Sequence, residues 1–281
     1  MKLSFIIYLN SDKKSLINTL DSVLKEETNY KYEIILINDA KEEDLKDVIK
    51  PYKYFIHLIE FKEARGIIKS YEEALKIAKG SYISFLTTRD IIKPHFLERL
   101  SESNADIISF SYQLKYSNSE EKAILSNKKY QNNLDYFIIN NPFFFNKIYR
   151  KEVLCNISSF NSLLELGFYL MNNVKTAEEV SDILLTKNIY KLKLDRNINL
   201  INNLKRSETY FKDKEVYEFL NIKYFLLDIY LNKNSNISKD EFIRRFPKFY
   251  HNKYVKDLNF KNKLRLFLIK HNLESLIRKE G

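Results

Sequence analysis

YEIILIND, residues 32–39, is apolar from Tyr32 to Ile37 apart from Glu33 and shows no sustained alternation. Such a run suits a strand covered on both faces, and Asn38-Asp39 closes it with two turn-forming side chains. Upstream, residues 3–9 read as another short apolar strand, and Leu16, Ile17, Leu20, Val23 and Leu24 then recur at helical spacing. Downstream, a short acidic helix around residues 44–49 leads to a third apolar run over 54–61. Ile67, Ile68, Tyr71, Ala74, Leu75 and Ala78 then share one helical face, and Gly80 stands where a left-handed cap would end that helix before a fourth strand over 82–86. The order β-α-β-α-β-α-β predicts an α/β fold with a mostly parallel, Rossmann-like sheet and right-handed crossovers. In such a sheet ligands bind at the carboxyl ends of the strands.

Pro94-His95-Phe96 opens a further helix, and residues 105–114 read as a strand. The polar stretch from there to about residue 133 reads as a flexible loop, and PFFFNKIY (142–149) is strongly aromatic. Residues 163–171 and 177–185 resume an apolar spacing that fits helix or strand, and from about 208 onward the pattern is helical. The chain is therefore expected to hold an α/β domain over 1–205 and a basic helical region over 206–281.

With 281 residues and 44% hydrophobic content, the chain can bury one large core or two small ones. Four Gly and four Pro against twenty Tyr and twenty Phe leave little room for linkers or low-complexity tracts. The single Cys155 makes no internal disulfide, and His57, His95, His251 and His271 lack metal-ligand spacing. A disulfide framework and a zinc site are thereby excluded, and a reducing cytoplasm is the compartment that fits. The apolar run over 3–9, interrupted by Ser4, is too short for a secretion-signal core or a membrane span. The net charge of +10 is concentrated late in the chain, where residues 240–281 carry 11 Lys/Arg against 5 Asp/Glu. Such a surface can meet anionic lipid or a phosphate-bearing substrate, or can simply be a solvated face. No nucleic-acid-binding module is recognisable, so nucleic acid is not an expected partner.

SFIIYLNSDKKSLINTLDSVL (4–24), EIILINDA (33–40), AKGSYISFL (78–86) and NKIYRKEVL (146–154) follow one another in this order. Together they resemble the bacterial family-2 glycosyltransferases of the GT-A fold, well over about residues 1–100 and weakly over 140–175. The resemblance implies a nucleoside-diphosphate-sugar donor, such as a UDP-sugar, and a glycan or lipid-linked acceptor of surface-polysaccharide assembly.

In that family the loop after the first strand lies beside the nucleotide. Here it is Tyr8-Leu9-Asn10-Ser11, which makes Tyr8 and Asn10 nucleotide-binding candidates. The family's Asp at the end of the second strand, which accepts hydrogen bonds from the base, matches Asp39; the alternative is that Asn38-Asp39 turns the chain and caps a helix. The family's Arg-Asn pair ahead of the fourth strand is Tyr71-Glu72 here. The cation that would reach the diphosphate is missing there, and Lys69 and Arg65 are either its nearest substitutes or ordinary helix-surface charges. The metal motif, Asp-Ser-Asp-Asp after the fourth strand, is Thr87-Thr88-Arg89-Asp90. Both carboxylates that would place Mn²⁺ or Mg²⁺ are lost, so no metal site is expected at this position. Arg89 then has two readings: bidentate bonds to the diphosphate in place of the ion, or pairing with Asp90 or another acid in a site that binds no donor. The family's acidic base, in a Glu-Asp pair opening a helix, finds its nearest match in Glu165-Leu166. Glu165 is thus the catalytic candidate, with a helix-surface role as its alternative.

Two functions follow. One is a metal-independent glycosyltransferase; the other is a non-catalytic glycosyltransferase-like partner or scaffold, working with an active transferase or as a homo-oligomer. Phe260, Leu264, Phe267, Leu268 and Ile277 can line one helical face among Lys and Arg. That face either attaches residues 255–281 to the inner face of the cell membrane or packs on the main domain or a second copy of the chain.

Overall fold

The computed structural model describes residues 2–9, 13–26, 28–39, 45–189, 200–231, 239–271 and 273. Its strands are β1 (Lys2–Leu9), β2 (Lys31–Asn38), β3 (Ile56–Glu60), β4 (Tyr82–Thr87), β5 (Asp90–Ile92), β6 (Ile107–Lys115), β7 (Glu120–Ala123), β8 (Lys128–Tyr130), β9 (Lys147–Arg150) and β10 (Ala177–Asn188). The early helices are α1 (Lys13–Leu24), α2 (Leu45–Ile49), α3 (Ile67–Ile77), α4 (Phe96–Ser101), α5 (Leu134–Asn140) and α6 (Leu163–Asn173). After β10 come α7 (Leu200–Arg206), α8 (Lys214–Leu231), α9 (Lys239–Arg245) and α10 (Phe260–Lys270).

Among the described residues the strands form one sheet of order β3-β2-β1-β4-β9-β6-β10-β5, with β7 added to β6 and β8 to β10. The first four strands are parallel, as expected, and the chain reverses direction on either side of β1. The crevice beyond the carboxyl ends of β1 and β4 is therefore the topological switch point. Strand β10 runs parallel to β6 and antiparallel to the short β5, so its late residues come to lie beside the end of β4.

Alternation inside the apolar runs explains why they lack polar positions. Phe5, Ile7, Ile34 and Leu36 face Leu16, Leu20, Leu45 and Phe96 of α1, α2 and α4. Ile6, Ile35 and Ile37 face the opposite core, built on Tyr71, Phe85, Phe168, Phe225 and Leu266. That second core runs without a break from α3 into the C-terminal helices, where Phe225 and Phe242 stack with centroids 3.9 Å apart. No helix among the described residues is long and apolar enough to cross a membrane.

Two local expectations are corrected. Helix α3 ends at Ile77 with Ala78 as an extended cap, and Gly80 is not left-handed; the described glycine at positive φ is Gly66, at 81°, the residue before α3. What Gly80 supplies is close approach: a Cβ there would lie 2.5 Å from the Ser4 amide and 2.6 Å from Ser4 Oγ. The polar stretch after β6 is also not all loop. Strand β9 pairs with residues Ile107 to Ser109 on one edge of β6, and β7 takes over along Tyr112 to Lys115, where the backbone groups still need partners.

Candidate active site

Tyr8 lies opposite Thr87 in the β1–β4 ladder and opposite Ile37 in the β1–β2 ladder, so three strand ends converge at the switch point. Its hydroxyl donates to Asp39 Oδ2 at 2.8 Å. Asp39 is buried and also accepts the Gly66 N–H on Oδ2 at 2.8 Å and the Arg65 N–H on Oδ1 at 2.7 Å. A carboxylate offers roughly four acceptor positions, and three are filled here from within the chain. Asp39 thus ties the loop that opens α3, with Gly66 as N-cap, to the end of β2. Among the described residues Asp39 serves the start of a helix, through amides 26 and 27 residues further along the chain. Burial, and then the Asp39 carboxylate, push the Tyr8 phenol up, so it stays a neutral donor.

Tyr71 occupies the position where the family resemblance implies a cation. It is buried, with its ring 4.4 Å from Phe85 and edge-on to Tyr8 at 6.1 Å. Burial raises its phenol first, and the charge of Asp90 and the Tyr8 phenol raise it further. Tyr71 thus forms an aromatic floor with Tyr8 and Phe85 under the strand ends. Of the two substitute cations considered, Arg65 is exposed at the rim, with its guanidinium 4.8 Å from the Phe61 ring, and Lys69 is exposed on α3.

Just past the end of β4, Asp90 is 1% exposed and accepts three hydrogen bonds. Its Oδ2 accepts the Thr87 N–H at 2.7 Å and the Thr87 hydroxyl at 2.8 Å, and its Oδ1 accepts Lys187 Nζ at 2.8 Å. Lys187 Nζ also lies 3.3 Å from Thr87 Oγ1 and 5.4 Å from the centre of the Phe145 ring. Of the bonds to Asp90 described here, the cationic one comes from Lys187. The β5–β10 ladder sets Lys187 directly opposite Asp90, whereas Arg89 lies in the turn between β4 and β5. Arg89 itself is half-buried, and its carbonyl accepts the Asn188 N–H at 3.0 Å.

Glu165 sits in the first turn of α6 and is 5% exposed. Ser162 Oγ accepts the Glu165 N–H at 3.1 Å, while Glu165 Oε2 accepts the Asn161 N–H at 3.1 Å and the Asn161 side chain at 3.2 Å. Tyr210 donates to its Oε1 at 3.4 Å. This is a variant of the capping box, shifted by one residue at the reciprocal bond, and it gives Glu165 a defined job in starting α6. The structure joins Asp39 to Tyr8 by a hydrogen bond, Tyr8 to Thr87 by strand register and Thr87 to Asp90 by two hydrogen bonds; the hydrogen bonds of Glu165 run elsewhere. Asn10 lies outside the described residues. Lys187 was missed from the sequence, because nothing along the chain marks a strand-end lysine as the partner of a carboxylate 97 residues earlier.

A divalent ion at the family's motif needs converging carboxylates. Thr87, Thr88 and Arg89 supply none, and Asp90 is already bound by an ammonium and two Thr87 donors. Among the described residues no three His, Cys, Asp or Glu side chains form an ion cage. The described residues at this position do not fit the ion.

An open sheet with order 3-2-1-4 in its parallel half and polar side chains gathered at the switch point defines a Rossmann-like α/β protein of the GT-A type. The model described as glycosyl transferase family 2 matches residues 4–157, more than half of the chain, and the protein belongs to that family. It is 27% identical over 124 residues to the uncharacterized glycosyltransferase YfnE of Bacillus subtilis (strain 168), a match covering 42% of this chain and 32% of that protein. The chain thus spans about a third of that relative. Among solved structures it is similar to S. aureus TarS 1-349 in complex with UDP-GlcNAc, with a TM-score of 0.72 at 13% identity over 100% of this chain and 93% of that one. It is also similar to TarS 1-349 in complex with UDP, with a TM-score of 0.60 at 14% identity over 96% and 79% of the two chains. At these identities the likeness is one of fold.

Proposed function

We propose that this protein transfers a sugar from a nucleoside-diphosphate donor, of the UDP-sugar class, to a hydroxyl of a surface glycan or lipid-linked saccharide. The observation that carries this reading is the convergence of Tyr8, Asp39, Thr87 and Asp90 on the switch-point crevice. Family membership and the fold shared with a protein crystallised with UDP-GlcNAc and UDP support it. In the reaction the bond between the sugar's anomeric carbon and the diphosphate oxygen breaks, and the diphosphate leaves with the electron pair. The acceptor oxygen bonds to that carbon and its proton passes to solvent water, so that the products are the glycoside, the nucleoside diphosphate and a hydrated proton. Asp39 holds the loop before α3 and Tyr8 in place beside the nucleotide, and the last of its roughly four acceptor positions is available to a base N–H.

A second reading, a non-catalytic partner of an active transferase, is favoured by one observation. Tyr71 and Glu165, at two positions where the family works with charged groups, are committed to packing and capping. Incubation with a panel of UDP-sugars, following UDP release and melting temperature, separates the two. UDP release above the rate without enzyme supports the transferase; a thermal shift without release supports the partner; neither response for any nucleotide sugar overturns donor binding.

Helix α10 suits work at a membrane. Leu266 and Ile269 bury its inner face, while Phe260, Leu264 and Phe267 form a row on the outside at 81%, 45% and 44% exposure. Lys261 lies on one side of this row and Lys263 and Lys270 on the other, all exposed. An apolar stripe between cations matches the boundary of an anionic bilayer.

A further inference from the structure

We infer that Lys187 is a resident counter-charge for the donor diphosphate, set by the fold beside the position where the family's motif would place its first metal-binding carboxylate. This rests on the donor-binding reading above and goes beyond it by naming the group that meets the phosphates.

The geometry has three parts. An ammonium has three donors. Lys187 directs one to Asp90 Oδ1 at 2.8 Å and one to Thr87 Oγ1 at 3.3 Å, which leaves one. The side chain keeps 24% of its surface exposed, whereas Asp90 beneath it keeps 1%, so an incoming anion meets the ammonium and not the carboxylate. Finally, Asp90 spreads its charge over the Thr87 N–H and hydroxyl as well as over Lys187, so it orients the ammonium without saturating it.

The placement also makes sense across the crevice. Arg65 stands at one end of the floor, its amide on Asp39, and Lys187 stands at the other end beside Asp90; Tyr8 and Tyr71 lie between them. A nucleotide with its base toward Asp39 would carry its diphosphate toward Lys187. A buried aromatic floor with a cation at the phosphate end strengthens the attraction, because the local dielectric is low.

The test is calorimetric titration of UDP in EDTA, repeated with Mn²⁺ in place of EDTA, on the full chain and on Lys187→Met, Lys187→Gln and Lys187→Arg. Lys187→Gln keeps an N–H donor to Asp90 without the charge, and it replaces Lys187→Met if the latter fails to fold. The wild type is expected to bind UDP equally well in both buffers. The two neutral variants should bind about tenfold or more weakly, the loss typical of one charge-assisted hydrogen bond, and Lys187→Arg should recover part of it. Uridine, followed by ligand-observed NMR, should bind all variants alike, which a merely structural role for Lys187 would not produce. Equal UDP affinity in the neutral variants, or wild-type binding that requires Mn²⁺, overturns the inference and leaves donor binding standing. Failure of the wild type to bind UDP in either buffer overturns both.

Discussion

Gly80 shows how one missing side chain holds the parallel sheet together at the end opposite the crevice. Its N–H reaches Ser4 Oγ at 2.8 Å and Glu33 Oε1 at 3.1 Å, so the turn before β4 is stitched to β1 and β2 together. Two of the three contacts a Cβ would meet are backbone atoms, of Ser4 and Tyr82, and cannot rotate away. Gly80→Ala should cost about 2 kcal/mol of stability, in the range of other overpacking substitutions, and urea melts would show it. An unchanged midpoint would mean that the turn yields easily. Gly80 and Asp39 were both noticeable in the sequence, but their partners were not. Asp39 announces itself as a carboxylate after a buried strand, yet the amides it holds belong to Arg65 and Gly66. Lys187 announces nothing, since its meaning comes only from the β5–β10 ladder.

At the level of elements, β1, β2 and β4 were legible because strands covered on both faces leave unbroken apolar runs, and α1 and α3 because each shows one apolar face. Strands β7 and β8 were not, being built from Glu120, Glu121, Lys122, Lys128 and Lys129 on an exposed edge, where pairing is dictated by the backbone of β6 and β10. Helix α10 was legible as amphipathic, but not which side faces inward: the residues that pack on the body are Leu266 and Ile269, and the Phe260–Leu264–Phe267 row is left outside. Replacing Phe260 and Phe267 together by Ser should lower co-sedimentation with phosphatidylglycerol-containing vesicles about tenfold or more, without shifting the melting temperature. Equal sedimentation of variant and wild type would exclude this row as the membrane contact.

Across the whole molecule, one core joins the sheet to the C-terminal helices. Phe168 of α6 packs 5.6 Å from Phe211 and 6.3 Å from Tyr224, and Tyr136 of α5 meets Tyr254 at 5.8 Å. A chain ending at residue 205 would uncover this apolar surface, which is far too extensive for a stable soluble fold. It should be recovered as aggregate or bind a hydrophobic dye strongly; a cooperative melt from that fragment would show that the sheet stands alone. The same core fixes α6 against the sheet, in which β10 carries Lys187 to the crevice.

The most direct measurement is a crystal structure of the full chain with UDP, grown once in EDTA and once in Mn²⁺. Lys187 is expected within hydrogen-bond distance of a diphosphate oxygen in both crystals, with no ion between the diphosphate and Asp90. A manganese ion bound by Asp90, or a diphosphate lying away from Lys187, would contradict the assignment.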